Sequence, residues 1–449
     1  MYDLIVIGGG PGGYTAAARA ASKGVGRVLL IEKNALGGTC LNEGCIPAKT
    51  LLHSAKLWQS VKGASKYGVV AEAVEYKQDK VIARKNKIVR KLVAGVKAKV
   101  TASGAEILLG EASVVAVENN LYTVQVGEEQ FQTTKLILAQ GGEVSIPPIK
   151  GLDRVSYWTS REALSAKELP QDLTVIGGGV IGMEFAAYFC SVGVKVNVVE
   201  MLPEILGGLD REISSQLREE YSKLGVNFYL NAKVVEVSPE GVTIEHEGET
   251  KLLPASQLLL STGRRPQTKG LEVLGLEMQG RGVKVNAKME TSAPGVYAIG
   301  DLTGFSQLAH TAIREAEVAV DNILGNEKEI SYRAIPAVVY CTPEVAGVGY
   351  TEEQLQKENI PYTKASLNMT YAGRFVVENE QGSGLCKVLI GEKDEILGVH
   401  MLGNTSSEII VVAAVAIDNG ISASRLAEVI FPHPTVAEII KETIDSEQK

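Results

Sequence analysis

Three observations predict an α/β chain made of two related strand-loop-helix units followed by a C-terminal α+β region. The chain has 449 residues, enough for about three domains of ordinary size. Asp3-Leu4-Ile5-Val6-Ile7-Gly8-Gly9-Gly10 returns 169 residues later as Asp172-Leu173-Thr174-Val175-Ile176-Gly177-Gly178-Gly179, and each copy leads into a helix-like stretch with repeated alanines. From about residue 331 the pattern changes to strands and helices in mixed order.

The composition narrows the function. With 45 basic and 53 acidic side chains the net charge is -8, and no basic block stands out. A nucleic-acid partner is therefore not expected, because neutralising phosphates needs clustered Lys and Arg. The longest apolar run, residues 409–417, holds nine residues, about half of the ~18 that suggest a membrane span. No membrane association is expected. Strand-like sequence begins at Leu4, leaving no room for a leader, so a cytoplasmic location is expected. Five cysteines, an odd number, do not suggest a disulfide framework in a reducing compartment, so any paired cysteines read as catalytic or metal-binding.

The first strand is Leu4–Ile7. Residues 111–139 alternate apolar and polar side chains, with turn-like breaks at Asn119-Asn120 and Gly127-Glu128-Glu129, which predicts a small antiparallel sheet. Pro147-Pro148 and Gly151 mark a linker. After the second unit, residues 261–266 and the Pro294-Gly295 turn suggest the chain crossing back, and residues 308–324 carry the apolar spacing of a long amphipathic helix. Ala337-Val338-Val339-Tyr340 and Cys386-Lys387-Val388-Leu389-Ile390 read as strands, and residues 408–419 and 436–443 as helices.

Gly8-x-Gly10-x-x-Gly13 follows the first strand, opens a helix, and is followed by Glu32 at the end of a second strand. That is the context of a Rossmann-like dinucleotide fingerprint: glycines let backbone approach a pyrophosphate at a helix N-terminus, and the acid accepts a hydrogen bond from a ribose hydroxyl. Gly177-x-Gly179-x-x-Gly182 with Glu200 repeats it. Glu200 would repel a 2′-phosphate, and Met201-Leu202-Pro203 supplies no arginine to attract one. The second unit is therefore expected to take NAD rather than NADP.

Cys40 and Cys45 lie just beyond Glu32 in Gly37-Gly38-Thr39-Cys40-Leu41-Asn42-Glu43-Gly44-Cys45-Ile46-Pro47. On a regular helix this spacing would separate them axially by about 7.5 Å and point them about 140° apart, whereas a disulfide needs Cα atoms about 4.4 to 6.8 Å apart. A redox bridge here requires a distorted turn, which Gly37, Gly38, Gly44 and Pro47 permit. Two unrelated thiols or half of a zinc site are the alternatives, and neither explains the position beside a dinucleotide loop. Cys190, Cys341 and Cys386 stand singly in apolar sequence and read as small buried hydrophobes.

Taken with Thr262-Gly263-Arg264-Arg265-Pro266, Tyr297-Ala298-Ile299-Gly300-Asp301 and His433-Pro434-Thr435-x-x-Glu438, these motifs make the chain resemble the flavin-dependent pyridine nucleotide-disulfide oxidoreductases over essentially its whole length. Within that family it is nearest the members that oxidise dihydrolipoyl groups. The resemblance implies an FAD-binding domain at 1–145 completed by a return segment at 267–330, an NAD-binding domain at 146–266, and a dimerisation domain at 331–449. FAD would be held by Gly8, Gly10, Gly13, Glu32 and Asp301, with Ala309 and His310 just ahead of the long helix, and NAD by Gly177, Gly179, Gly182 and Glu200, with Gly263 in the adjoining cofactor turn. Lys49 and Glu184 match a pair near the reacting flavin nitrogen. Dithiol-disulfide exchange would run through Cys40, the interchange position, and Cys45, nearest the flavin, with electrons passing through FAD to NAD. His433, oriented by Glu438, would deprotonate the substrate thiol, as the side chain whose unperturbed pKa of ~6.5 suits the task. That region would come from the partner of an obligate homodimer. His53, His246 and His400 lack such a partner and read as surface or packing residues.

The expected partner is a lipoylated carrier protein, in a 2-oxoacid dehydrogenase complex or a glycine-cleavage carrier; no metal is expected. The family's usual Ala-Thr-Gly is here Ala139-Gln140-Gly141-Gly142, Phe431-Pro432 precedes His433 where many relatives carry His-Ala, Ala48 stands where serine is common, and Glu43 adds a charge beside the redox segment. Sibling reductases of glutathione, trypanothione or coenzyme-A disulfides and mercuric reductases are the competing readings. Glu200 speaks against the NADP users, the Cys-Leu-Asn-Glu-Gly-Cys-Ile-Pro form is nearer the lipoamide type, and no vicinal cysteine pair follows Cys386. A flavoprotein kept as a non-catalytic subunit is disfavoured by the intact cysteines, His433 and Glu438.

Overall fold

A computed structural model describes residues 1–379 and 382–447. The chain divides into two compact units, one of Met1–Thr50, Asp79–Ile146 and Gly263–Ser331, the other of Leu51–Gln78, Pro147–Thr262 and Tyr332–Lys449.

The first unit is built on a parallel sheet of five strands in the order Val296–Ala298, Leu136–Leu138, Leu4–Ile7, Val28–Glu32, Glu106–Leu109. Its inner strands are uninterrupted runs of Leu, Ile and Val, as burial on both faces requires. Helices Pro11–Ser22 and Ala309–Ile323 pack on each other. The second follows the amphipathic run at 308–324, with Ala312, Ala316, Val318, Ala319, Val320 and Ile323 buried. The alternating segment at 111–139 forms the expected antiparallel sheet, Ala112–Glu118, Leu121–Val126 and Glu129–Thr133, turning at Asn119-Asn120 and at Gly127. Its Tyr122 is fully buried and donates its hydroxyl to the Pro294 carbonyl at 2.5 Å. A 25-residue helix, Gln78–Ala102, was not legible in advance.

The second unit repeats the nucleotide-binding design in a four-stranded parallel sheet ordered Asn227–Tyr229, Lys195–Val199, Asp172–Ile176, Gln257–Leu260. A three-stranded antiparallel sheet, Lys233–Ser238, Gly241–His246 and Glu249–Pro254, is added to it. The C-terminal α+β part is a five-stranded antiparallel sheet, Ala337–Val339, Val345–Gly349, Ile396–Leu402, Leu385–Ile390, Thr363–Asn368, packed against helices Ser406–Asp418 and Glu438–Glu447. Its core joins Phe375, Val388, Val399, Met401, Ile410 and Ile440.

One buried charge cluster ties the nucleotide-binding part of this unit to the antiparallel sheet. Lys387 is 0% exposed on the strand Leu385–Ile390, with Asp210 at 2.7 Å, Glu352 at 2.9 Å and Glu212 at 3.0 Å. Burial works against its charge, but the three carboxylates prevail and raise the ammonium above its ordinary value. Nearby, His400 is buried with its Nε2 2.7 Å from the Tyr350 carbonyl, and burial lowers its pKa. No helix among the described residues is long and apolar enough to cross a membrane.

Candidate active site

The two glycine loops are near copies. Gly10 and Gly179 are the N-caps of helices Pro11–Ser22 and Val180–Ser191, with φ/ψ of -70°/-176° and -69°/-176°, and neither helix has a side-chain cap. The first-turn N–H groups of both helices thus lack a side-chain acceptor from the cap and face the position an anion would take. Tight packing fixes the loops. A Cβ on Gly13 would lie 1.7 Å from the Gly8 carbonyl oxygen, and one on Gly182 would lie 2.0 Å from that of Gly177. Gly8 and Gly177 themselves have φ near +105°, the left-handed region suited to glycine. In contrast, a Cβ on Gly179 would meet nothing within 4 Å, and one on Gly10 only Gly38 at 3.9 Å. The third glycine of each loop closes the turn, and the second leaves room above it.

The acids repeat the match. Glu32 accepts the Gly9 N–H at 2.7 Å and the Asn34 N–H at 2.8 Å, and Glu200 accepts those of Gly178 at 2.6 Å and Leu202 at 2.8 Å. Each carboxylate is held at the rim of its loop by two backbone donors.

Cys40 and Cys45 form a disulfide with Cα atoms 4.6 Å apart. The distortion required of the backbone is found at Gly44: helix Gly38–Glu43 stops there at φ/ψ -149°/-109°, and a new helix, Cys45–Lys62, starts at the second cysteine. Gly37, in the left-handed region at φ 96°, starts the first helix. Cys45 therefore sits at a helix N-terminus, where a thiolate is favoured. Lys49 lies one turn further along the same face, half-buried.

Asp301 lies in a 3₁₀ turn, Gly300–Thr303. Burial pushes its carboxyl pKa up, and Arg264, with Nε 3.6 Å from Oδ2, opposes that shift. Gly263 takes φ +97° and its carbonyl accepts the Ser145 N–H. Ala309 and His310 do not precede the long helix but are its first two residues, because Leu308 is the extended N-cap; His310 is exposed. In the second unit Glu184 is buried on helix Val180–Ser191 and accepts the Tyr340 N–H at 3.1 Å. Tyr188, one turn on, donates to Gln78 at 2.6 Å and meets the Tyr76 hydroxyl at 2.8 Å.

His433 and Glu438 are paired, Nδ1 to Oε1 at 2.9 Å, and the other carboxylate oxygen accepts the Thr435 N–H at 2.8 Å. The Thr435 N–H first, and His433 after it, hold the Glu438 carboxyl below the usual carboxylate range. The imidazole is 78% exposed, so Nε2 is open to a reactant. The remaining histidines divide: His53 is exposed, His246 packs edge-on to Tyr229, and His400 is buried. Of the single cysteines, Cys341 and Cys386 are buried, the latter thiol pushed up to about 12 by burial, whereas Cys190 is only half-buried, its sulfur 3.6 Å from the Leu224 carbonyl. Arg264, Tyr340 and Thr435 are partners that the sequence reading did not single out, although Arg264 and Thr435 lay within quoted motifs.

Two dinucleotide folds on one chain, with a disulfide beside the first glycine loop, define a nucleotide-dependent disulfide oxidoreductase. Residues 2–316 match the pyridine nucleotide-disulphide oxidoreductase family and residues 335–444 match its dimerisation domain, and the chain belongs to this family. Among similar proteins, the dihydrolipoyl dehydrogenase of Bacillus subtilis is 38% identical over 454 residues, covering 99% of this chain and 96% of the relative. That of Geobacillus stearothermophilus is 37% identical over 452 residues, 99% and 95% covered. Among solved structures, LpdA of Mycobacterium tuberculosis has a TM-score of 0.90 at 26% identity, and the HOCl-induced flavoprotein disulfide reductase RclA of Escherichia coli 0.86 at 28%, each alignment covering 99% of both chains.

With membership come the family's cofactors, FAD and NAD+, and an oxidoreductase activity on sulfur groups. The residues present fit both dinucleotides: each loop has an uncapped helix N-terminus, an open space above its second glycine and an acid at its rim. In the first unit, the buried Gln140 Oε1 and Arg264 Nε make no hydrogen bond within the protein, as expected of a surface shaped around a polar ligand.

Proposed function

We propose that this chain is a dihydrolipoamide dehydrogenase, which oxidises protein-bound dihydrolipoyl groups by exchange with the Cys40–Cys45 disulfide and delivers the electrons to NAD+, reversibly. The observation that carries the reading is that disulfide, placed where one helix ends and another begins beside the first glycine loop. The relatives named dihydrolipoyl dehydrogenase, similar along nearly their whole length, support the substrate class.

His433, with Nδ1–H donated to Glu438, keeps Nε2 free to take the proton of a substrate thiol. The thiolate attacks the Cys40 sulfur, forming a mixed disulfide and releasing Cys45 as a thiolate that its helix N-terminus stabilises. The second substrate thiol attacks the mixed disulfide, releasing the cyclic oxidised lipoyl group and leaving both cysteines reduced. Gly8, Gly10, Gly13, Glu32 and Asp301 would hold FAD, with Ala309 and His310 at the start of a helix, and the flavin would supply the two-electron chemistry that reoxidises the pair. Lys49 and Glu184 serve that step, and Gly177, Gly179, Gly182 and Glu200 bind NAD+, with Gly263 in the adjoining turn. Glu200 selects NAD+ over NADP+ by repelling a 2′-phosphate.

His433 serves the disulfide of the other subunit of a homodimer. The dimerisation match and the exposed Val411 (55%), Val415 (51%) and Ile430 (95%) within it support this. The domains run 1–145 and 267–330 for FAD, 146–266 for NAD and 331–449 for the dimer. The partner is a lipoylated carrier of a 2-oxoacid dehydrogenase or glycine-cleavage system, and the location is the cytoplasm.

A panel of lipoamide, glutathione disulfide and thioredoxin, with NADH and NADPH, tests the reading. Lipoamide with NADH is expected to be turned over fastest, and rapid reduction of another disulfide with lipoamide inert would overturn it. Cys45→Ser is expected to retain FAD and lose lipoamide turnover.

A further inference from the structure

The two parts of the first unit that flank the disulfide segment meet at one partly buried guanidinium. Arg264 lies on the short strand Arg264–Pro266, paired antiparallel with Gly142–Val144. Its Nη2 donates to the Gly142 carbonyl and, at 3.2 Å, to Thr39 Oγ1. Its Nε makes no hydrogen bond and stands 3.6 Å from Asp301 Oδ2. The Arg264 carbonyl accepts the Gln307 amide at 3.2 Å. The side chain is 13% exposed, so the charge is partly desolvated and fixed in place. Thr39 is the second residue of helix Gly38–Glu43, and Cys40 is the third. Arg264 thus grips the turn that carries the interchange cysteine.

We propose that Arg264 is a positioning residue for the disulfide half-reaction. Its guanidinium, locked by Gly142 and Asp301, holds Thr39 and with it the first turn of the redox helix, and provides the positive charge that stabilises thiolate in the opened pair. In the exchange the substrate thiolate forms one S–S bond to Cys40 while the Cys40–Cys45 bond breaks, so the negative charge moves from substrate sulfur to Cys45 and no electron is lost or gained. A fixed cation near that charge lowers the thiol pKa. Arginine suits the task because its fork carries two directed bonds and keeps its charge, which lysine provides only in part.

The inference rests on reading Cys40–Cys45 as the working disulfide. The test is the pH dependence of iodoacetamide alkylation at Cys40 and Cys45 in the dithionite-reduced holoenzyme, followed by peptide mass spectrometry, with flavin absorbance as the measure of retained FAD. Arg264→Gln is expected to raise the apparent pKa of the more reactive thiol by about one unit, a roughly tenfold loss of thiolate below that pKa. Arg264→Lys is expected to recover at least half of the shift. A wild-type profile in Arg264→Gln, or an equal shift in Arg264→Lys, would overturn the proposal, the latter because it would mark lost packing instead of lost charge. Should Arg264→Gln fail to fold, Thr39→Val cuts only the tether: a smaller upward shift is expected, and an unchanged profile would overturn the proposal. Lipoamide turnover by the unmodified protein separates this outcome from the substrate assignment, since an inert lipoamide with a shifted profile would sink only the latter.

Discussion

Replacing Gly179 or Gly182 by alanine separates the two jobs of the second glycine loop. At Gly182 the new Cβ lies 2.0 Å from the Gly177 carbonyl oxygen and 2.6 Å from Ser261 Oγ, where ordinary contact begins at 3.4 Å. The nearer obstacle is backbone and cannot rotate away, so the turn must move by more than an ångström. Overpacking of this kind costs about 1–3 kcal/mol. At Gly179 nothing lies within 4 Å and φ is -69°, so alanine fits the free protein. Losing the better cap and stiffening the unfolded chain offset each other to within ~1 kcal/mol. The methyl group then occupies the space where a pyrophosphate must approach the helix N-terminus. Losing one charge-assisted hydrogen bond there is worth about 1.5–3 kcal/mol, or a roughly 10- to 150-fold rise in KM for NAD+. Steady-state kinetics with NAD+, thermal melting and flavin absorbance read the three effects apart. Gly179→Ala should keep its FAD and its melting temperature while its KM rises; Gly182→Ala should lose stability as well. A Gly179→Ala enzyme with unchanged KM would refute the placement of the pyrophosphate above that residue.

Three further outcomes follow from the same geometry. Lys387→Met takes the cation from the buried Asp210 and leaves Glu352 and Glu212 with Lys364 at 3.3 and 3.7 Å, so stability should fall by about 3–5 kcal/mol; Lys387→Met melting like the parent would show that the cluster is solvated. In Glu438→Gln the Thr435 N–H takes the amide oxygen and turns the NH2 toward His433 Nδ1, which then accepts a hydrogen bond and carries its proton on Nε2, so kcat with lipoamide should drop by about 10²- to 10⁴-fold with FAD content unchanged; near-normal kcat would remove Glu438 from the catalytic pair. His400 has a folded pKa below its ordinary 6.5, so the unfolded chain binds more protons below that pH and stability declines as pH falls through ~6.5 and on toward the folded pKa, at up to ~1.4 kcal/mol per pH unit. In His400→Asn that part of the acid decline in melting temperature, read from pH 7.5 to 5, should vanish, and an undiminished slope would assign it to other groups.

Much of the site was legible because its parts are local. A glycine loop between strand and helix is specified within about 25 residues, and the match of Gly10 with Gly179 extends to their backbone angles. The break between the two cysteines followed from helix geometry and the glycine available at 44. The small sheet was visible from its alternation and its turns. The sheet at 233–254 and the helix Gln78–Ala102 were missed, and Ala309 and His310, expected just ahead of the long helix, are its first two residues, with no side-chain cap to mark the start.

The sequence by itself determined the nucleotide loops, the cysteine pair and the His433–Glu438 pair, because each depends on residues close enough in the chain for spacing to constrain their geometry. Tertiary structure decided the company of the charges. Lys387 reads as one polar residue in a strand until Asp210, Glu212 and Glu352 converge on it, and Arg264 reads as a motif letter until Thr39, Gly142 and Asp301 surround it. A local pattern reports which face a residue occupies; the electrostatic value of a charge depends on its burial and on partners from distant segments, which exist only after the chain has folded.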